Sequence, residues 1–245
     1  MYSATIEGEP TTFGTSGLLY RSNKLMYDRK TESLWSQLTA EPVVGPLVGT
    51  GLRLEFFPSE LTTWEQWAAD HPRTTVISNE TGVYSAGFYV PESDPGAIYY
   101  EYFNTPETMF PVPRRNDALE AKQVVLGLRV GQASKAYTVE TVQAARVIND
   151  AVGGSAVVII GSATSEGARV YERGTHTFTL DPAASGKPEL PRTLVDDRSD
   201  RWRVDEAALI SAEGEQLARI PTYMAFWHGW FTFYPDTEVY QAPQQ

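Results

Sequence analysis

Six positions of the chain recur in register: Pro58, Trp64, Trp67, Pro72, Thr74 and Val76 reappear at one constant offset as Pro221, Trp227, Trp230, Pro235, Thr237 and Val239. Tryptophan occurs only 6 times in 245 residues, so two Trp pairs aligned with two prolines are a strong mark of internal repetition. A repeat of this length constrains the fold more than any composition does, because each copy must bury its faces in the same way. Upstream the correspondence continues with small gaps. Asp28-Arg29 followed by Trp35 answers Asp197-Arg198 followed by Trp202, and Thr12-Phe13 answers Thr177-Phe178.

Within each copy the Trp pair falls on a short helix. Thr63 and Gln66 have capping-box spacing, and Trp64, Trp67, Ala68 and His71 share one helical face. Trp227, Trp230, Phe231 and Tyr234 repeat that face, and Pro72 and Pro235 end the helices. Both helices are expected to pin a sheet through their aromatic side chains. Elsewhere the pattern is strand-like. Residues 124–130 and 133–139 read as a hairpin around Gly131-Gln132, and a helix from about Glu140 to Arg146 is capped by Thr138. Val157–Ile160 reads as an apolar buried strand behind Gly153-Gly154, and residues 169–173 and 177–180 alternate as half-buried strands do. The fold class is mainly β, a β-rich α+β chain of two pseudo-repeated, mostly antiparallel units with short Trp-bearing helices.

The expected division is a first unit over residues 1–77, an aromatic-rich insert over 78–122 and a second, complete unit over 123–245, packed as one compact domain. Residues 124–171 have no counterpart in the first unit, which therefore lacks its opening strands and is expected to present an open sheet edge. Hydrophobic residues make up 42% of the chain, enough for a real core. The net charge of −11 repels a phosphate backbone, which argues against nucleic acid. Without cysteine there is no disulfide framework, thiol nucleophile or thiolate metal site. The apolar stretch 220–234 is too short to span a bilayer as a helix and is bounded by Pro221 and Pro235, so it is read as buried.

Candidate ligand-binding residues are Asp28, Arg29 and Trp35 with their counterparts Asp197, Arg198 and Trp202, and Tyr99, Tyr100 and Tyr102 from the insert. The Asp-Arg pairs either frame a polar ligand, the guanidinium supplying a fixed fork, or hold turns together. The insert tyrosines either form a platform for a sugar or peptide, or lie in an ordinary strand with one face in the core. Asn149-Asp150 reads as a turn feeding the following strand, and Gly14-Thr15-Ser16-Gly17 as a turn rather than a nucleophile elbow. His71, His176 and His228 share no metal-ligand spacing, so neither a metal nor a cofactor is expected.

Phe13-Gly14-Thr15-Ser16-Gly17, the run from Leu25 through Asp28-Arg29-Lys30-Thr31-Glu32 to Gln37, the run Val147–Gly154 and Tyr234-Pro235-Asp236-Thr237-Glu238-Val239-Tyr240 resemble the bacterial and archaeal family catalogued as domain of unknown function 3179. The resemblance implies no established activity. It suggests the cell envelope or exterior, since members often carry export or lipoprotein signals, although Met1–Glu7 shows none. Members usually open with a segment similar to residues 124–160 that leads into a Tyr-Cys-Pro-Leu-Cys run, so this chain is expected to be an N-terminally shortened member. Cysteine chemistry does not carry over to it. The resulting expectation is a non-catalytic binding or structural module. Its alternative is an enzyme acting on a small polar substrate at the cleft between the repeats, with or without a metal. The partners considered are a small molecule, glycan or peptide, and a homo-oligomer or partner chain that completes the first repeat.

Overall fold

The computed structural model of the protein describes residues 1–243. A small hairpin, β1 (Thr5–Ile6) and β2 (Glu9–Pro10), precedes an antiparallel four-stranded meander of β3 (Phe13–Tyr20), β4 (Asn23–Asp28), β5 (Leu34–Ser36) and β6 (Pro42–Val44). A long segment with two helices, α1 (Trp64–Asp70) and α2 (Tyr100–Asn104), leads to the second half. There follow β7 (Val124–Val130), β8 (Ala133–Thr138), α3 (Val139–Ala145), β9 (Val147–Val152), β10 (Ser155–Gly161), β11 (Ala168–Glu172), β12 (Phe178–Leu180), β13 (Thr193–Asp196), β14 (Arg201–Val204), β15 (Ala208–Ser211), β16 (Gln216–Ile220), β17 (Thr222–Phe226), α4 (Trp227–Phe233) and β18 (Glu238–Val239). The chain is mainly β. Its pairings are antiparallel except that between β18 and β8.

Local chemistry accounts for these elements. The β7–β8 hairpin closes through Gly131-Gln132, and β9–β10 closes through Gly153 and Gly154 at φ 57° and 82°. Positive φ at both central residues matches the twist of a two-residue hairpin. The Thr138 hydroxyl accepts the Thr141 N–H at 3.2 Å and starts α3. Eight strands form one sheet in the order β12-β13-β14-β15-β16-β11-β10-β9. Its two end strands meet where the Asn149 side chain exchanges 2.8 Å hydrogen bonds with the Phe178 backbone, donating to the carbonyl and accepting the N–H. The sheet thus closes nearly into a barrel.

Alternation along β10 builds two cores at once. Val158 and Ile160 pack inside the near-barrel with Tyr171, Phe178, Leu194, Trp202 and Leu209. Val157 and Ile159 face outward and pack with Leu126, Leu128 and Tyr137 of the four-stranded sheet β17-β7-β8-β18. The other face of that sheet receives α4, whose Trp227 and Trp230 lie against Val125 and Ala136. A smaller core of Ile6, Trp35, Ala40 and Leu54 holds the first half. Between the halves, the Tyr234 hydroxyl donates to the Leu38 carbonyl, Arg21 donates to the Thr232 carbonyl at 3.1 Å, and Glu60 takes Arg169 and Arg219.

The two Trp-bearing helices share a local design. Each is seven residues long and ends in a cap at φ −126°, ψ 66° (His71) or φ −125°, ψ 71° (Tyr234). The Trp67 indole donates to Thr74 Oγ1 and the Trp230 indole to Thr237 Oγ1, both at 2.9 Å. The second ring of each pair lies over the cap side chain, Trp67 on His71 at 4.0 Å and Trp230 on Tyr234 at 4.4 Å. Their surroundings differ. Trp227 and Trp230 are fully buried, whereas Trp64 and Trp67 are 56% and 39% exposed and α1 buries no residue. The expectation that both helices pin a sheet is corrected for α1, because no strand of the described residues lies where β7 and β8 lie against α4.

Three further local readings change. Tyr100–Asn104 forms a helix rather than a strand, since it has no strand to pair with. Its terminal carbonyls are taken by the Lys122 ammonium, which bonds the Tyr102 and Thr105 oxygens and sits 3.7 Å from the Tyr102 ring centroid. Gly14 and Gly17 lie within β3 rather than in a turn. A Cβ on Gly14 would lie 2.6 Å from Tyr27 Cζ, and Gly17, at φ 75°, sits where the register with β4 shifts. Asn149 and Asp150 belong to β9, and the turn is the glycine pair after it.

Candidate functional site

Asp28 is wholly buried at the end of β4 and closes the turn into β5. Its Oδ1 accepts the Thr31 and Lys30 N–H groups at 2.6 and 3.1 Å, and its Oδ2 accepts the Thr31 hydroxyl at 2.7 Å and the Trp35 indole at 2.9 Å. In the second half the same work falls to Asp196, not Asp197. Asp196 Oδ1 accepts the Arg198 and Asp200 N–H groups, both at 2.9 Å, and Oδ2 accepts the Trp202 indole at 3.2 Å. One residue fewer separates carboxylate and indole here, so aligning the Asp-Arg dipeptides selects the wrong neighbour. Phe13 and Phe178 meet these indoles edge-on at 86° and 87°. Burial pushes both carboxyl pKa values up, but the indole and backbone donors outweigh it and hold them below the ordinary value.

The four charged side chains singled out in the sequence therefore do not converge. Asp28 and Asp197 serve separate turns, the latter accepting the Thr177 N–H at 3.2 Å. Arg29 is exposed and donates to the Tyr27 hydroxyl at 2.8 Å, and Arg198 is exposed. Trp35 and Trp202 are fully buried within their half-cores. His176 joins Asp196 at 3.0 Å, and these two with Asp197 offer ligand atoms within 4.8 Å of one another. The Asp196 oxygens are already committed to four donors, so the cluster fits a structural latch better than a cation site. Tyr99 is 53% exposed and Tyr100 half-buried on α2, while Tyr102 turns toward Phe226.

Tyr102 leads to a cleft of about 910 Å³ between the halves, with room for a ligand. Tyr2, Asn23, Gln37, Phe56 and Glu60 line it from the first half, Tyr102 and Phe103 from the insert, and the whole of β17 with His228 from the second. β17 is the end strand of its sheet and pairs only with β7 among the described residues. Its other edge runs along the cleft. Aromatic rings stand at both ends of it: Phe56 stacks on Tyr223 at 4.5 Å, and Tyr102, Phe103 and His228 surround Phe226 at 5.9–6.3 Å.

The charged side chains along the cleft are of one sign. Glu60, Glu92 and Glu166 line it, and among the described residues no lysine or arginine does. Glu60 is held by Arg169 and Arg219, whereas Glu92 and Glu166 are exposed. His228 is 8% exposed, and among the described residues neither ring nitrogen has a hydrogen-bond partner; Asn23 Oδ1 is likewise unpartnered there. Burial, with Lys122 and Arg115 nearby, lowers the His228 pKa, so the ring is neutral at pH 7. Burial also raises the Tyr2, Tyr102 and Tyr223 hydroxyls, which stay protonated. Buried polar atoms left without partners are uncommon and mark places where a ligand or water completes the bonding. Of these residues only Tyr102 is a sequence candidate. His228 enters there only as a histidine without metal-ligand spacing, and no local signal places segments so far apart along one strand edge.

The sequence model of a family described as "Protein of unknown function (DUF3179)" matches residues 1–237. No curated protein and no solved structure matches the chain.

Proposed function

We propose that this chain, which belongs to the DUF3179 family of proteins of unknown function, is a non-catalytic binding module that holds an extended polypeptide along β17, in the cleft between two units of common ancestry. The open, half-buried edge of β17 inside a cleft carries this reading. A strand edge offers main-chain hydrogen bonds to an added strand, and pockets beside it select alternate side chains. The aromatic groups at either end of β17 supply such pockets, and Glu92 and Glu166 favour a ligand carrying Lys or Arg. The matched indole, cap and carboxylate bonds of the two halves support common ancestry. Placement at the cell envelope or exterior rests on the family resemblance alone.

Calorimetric screening of short extended peptides is the test. Basic-aromatic sequences should bind, alternate N-methylation of the peptide backbone should abolish binding, and Glu166→Lys should weaken it. Equal binding of the N-methylated peptide would rule out strand addition. The second reading, an enzyme at the same cleft, is favoured by one observation: a neutral His228 with both nitrogens free is equipped to accept a proton. Turnover of a small substrate that disappears in His228→Ala would replace the binding module with that enzyme.

A further inference from the structure

The reading of the α1 surface stands on the comparison of α1 with α4. Trp64, Trp67, Val76 and Ile77 are 56%, 39%, 70% and 88% exposed, an apolar run of the kind that marks an interaction surface. The corresponding surface of α4 shows what such a helix carries when covered. The β7–β8 hairpin crosses it, with Val125 and Ala136 packed on Trp227 and Trp230. Val239, the counterpart of Val76, pairs in parallel with Ala136. Contact is close at one place: a Cβ on Gly127 would lie 2.5 Å from Trp230 Cε3 and 2.7 Å from Cη2, so only glycine lets the strand reach the indole.

We infer that the α1 face is a docking surface for a two-stranded antiparallel β-hairpin, seated as β7–β8 sits on α4, with small apolar side chains toward α1 and a glycine over Trp67. The occupant is specified by the fixed Trp67 geometry. The indole is already held by Thr74 and His71 in the arrangement that Trp230 has under Gly127. The parallel contact at Glu238 and Val239 predicts that residues 75 and 76 pair with the second strand of the incoming hairpin. This chain's own β7 and β8 cannot serve in place, because both are paired on each side.

The test uses the full chain and, as probe, a cyclised hairpin peptide with the sequence of residues 123–138. Tryptophan emission, iodide protection and calorimetry are followed on titration. The expected result is saturable binding with a blue shift of the exposed tryptophans. Trp67→Ala should weaken it by about thirtyfold or more, as truncating a buried aromatic anchor does, and the peptide carrying Gly127→Val should not bind. Since Trp67 is exposed in the free chain, its truncation leaves the fold intact, which circular dichroism checks. Failure of the wild-type peptide to bind, equal binding of the Gly127→Val peptide, or undiminished binding to Trp67→Ala overturns the inference. So does a dimer of the chain alone, by light scattering, that Trp67→Ala converts to monomer, since a second copy would then be the occupant. None of these outcomes depends on the β17 edge.

Discussion

Replacing Asp28 by alanine should destabilise the protein by about 3–5 kcal/mol. The carboxylate accepts four hydrogen bonds, and the donors fare differently without it. The Trp35 indole N–H, on a residue with no exposed surface, loses its partner where water cannot replace it, which costs about 1–3 kcal/mol. The Lys30 and Thr31 groups sit at a turn that water reaches, so each loses only the net worth of a bond, about 0.5–1.5 kcal/mol. Asp197→Ala is the internal control, because it removes one 3.2 Å bond at an exposed residue and should change stability by no more than about 0.5 kcal/mol. Urea denaturation followed by tryptophan emission measures both. At about 2–4 °C per kcal/mol for a chain of this size, Asp28→Ala should also melt roughly 10 °C early while Asp197→Ala melts with the parent. If the two variants fall within about 1 kcal/mol of each other, the assignment of Asp28 as a turn latch is wrong.

Acid should unfold the chain below about pH 4. Asp28, Asp150 and Asp196 are held below the reference value of 3.8, so their contribution is present above that value and is lost as pH falls through the lower folded values. A stability flat from pH 5 to pH 2 would contradict this, and Asp196→Asn should reduce the slope. Within the chain, Gly127→Val drives a side chain into the Trp230 ring and should cost about 1–3 kcal/mol or more, part of it recovered by Trp230→Leu in the same chain. Iodide should reach only Trp64 and Trp67 of the six tryptophans, and the Trp64→Phe, Trp67→Phe double variant should remove nearly all quenchable emission.

The repeated Trp, Pro and Thr positions made the two helices readable, because an indole that bonds a Thr seven residues on needs both residues at fixed spacing. The hairpin at Gly131-Gln132 and the cap at Thr138 were readable for the same reason: their chemistry is complete within a few residues. Asp196 was missed because its identity depends on turn length. Asp197-Arg198 reproduces the dipeptide Asp28-Arg29, yet the shorter turn moves the indole bond back by one residue. Tyr100–Asn104 carries strand-forming aromatics, but β-propensity expresses packing against neighbours, and this segment has none to pair with. The cleft was out of reach altogether. Its walls come from residues near 2, 23, 56, 102 and 225, and only the folded path of β17 brings their side chains together.

One pairing has a consequence during synthesis. β7 finds its second neighbour only in β17, where Leu128 faces Thr222 and Val124 faces Phe226. About 90 residues must leave the ribosome after the β7–β8 hairpin before that neighbour exists, a delay on the order of 5–20 seconds at ordinary elongation rates. Through that interval an apolar ribbon waits with both edges bare, since β8's other neighbour β18 comes later still, and its tryptophan-bearing cover is not yet made. The nascent chain is thus at its most aggregation-prone late in translation, and a ribosome-associated chaperone gains most by acting over the stretch between residues 138 and 226.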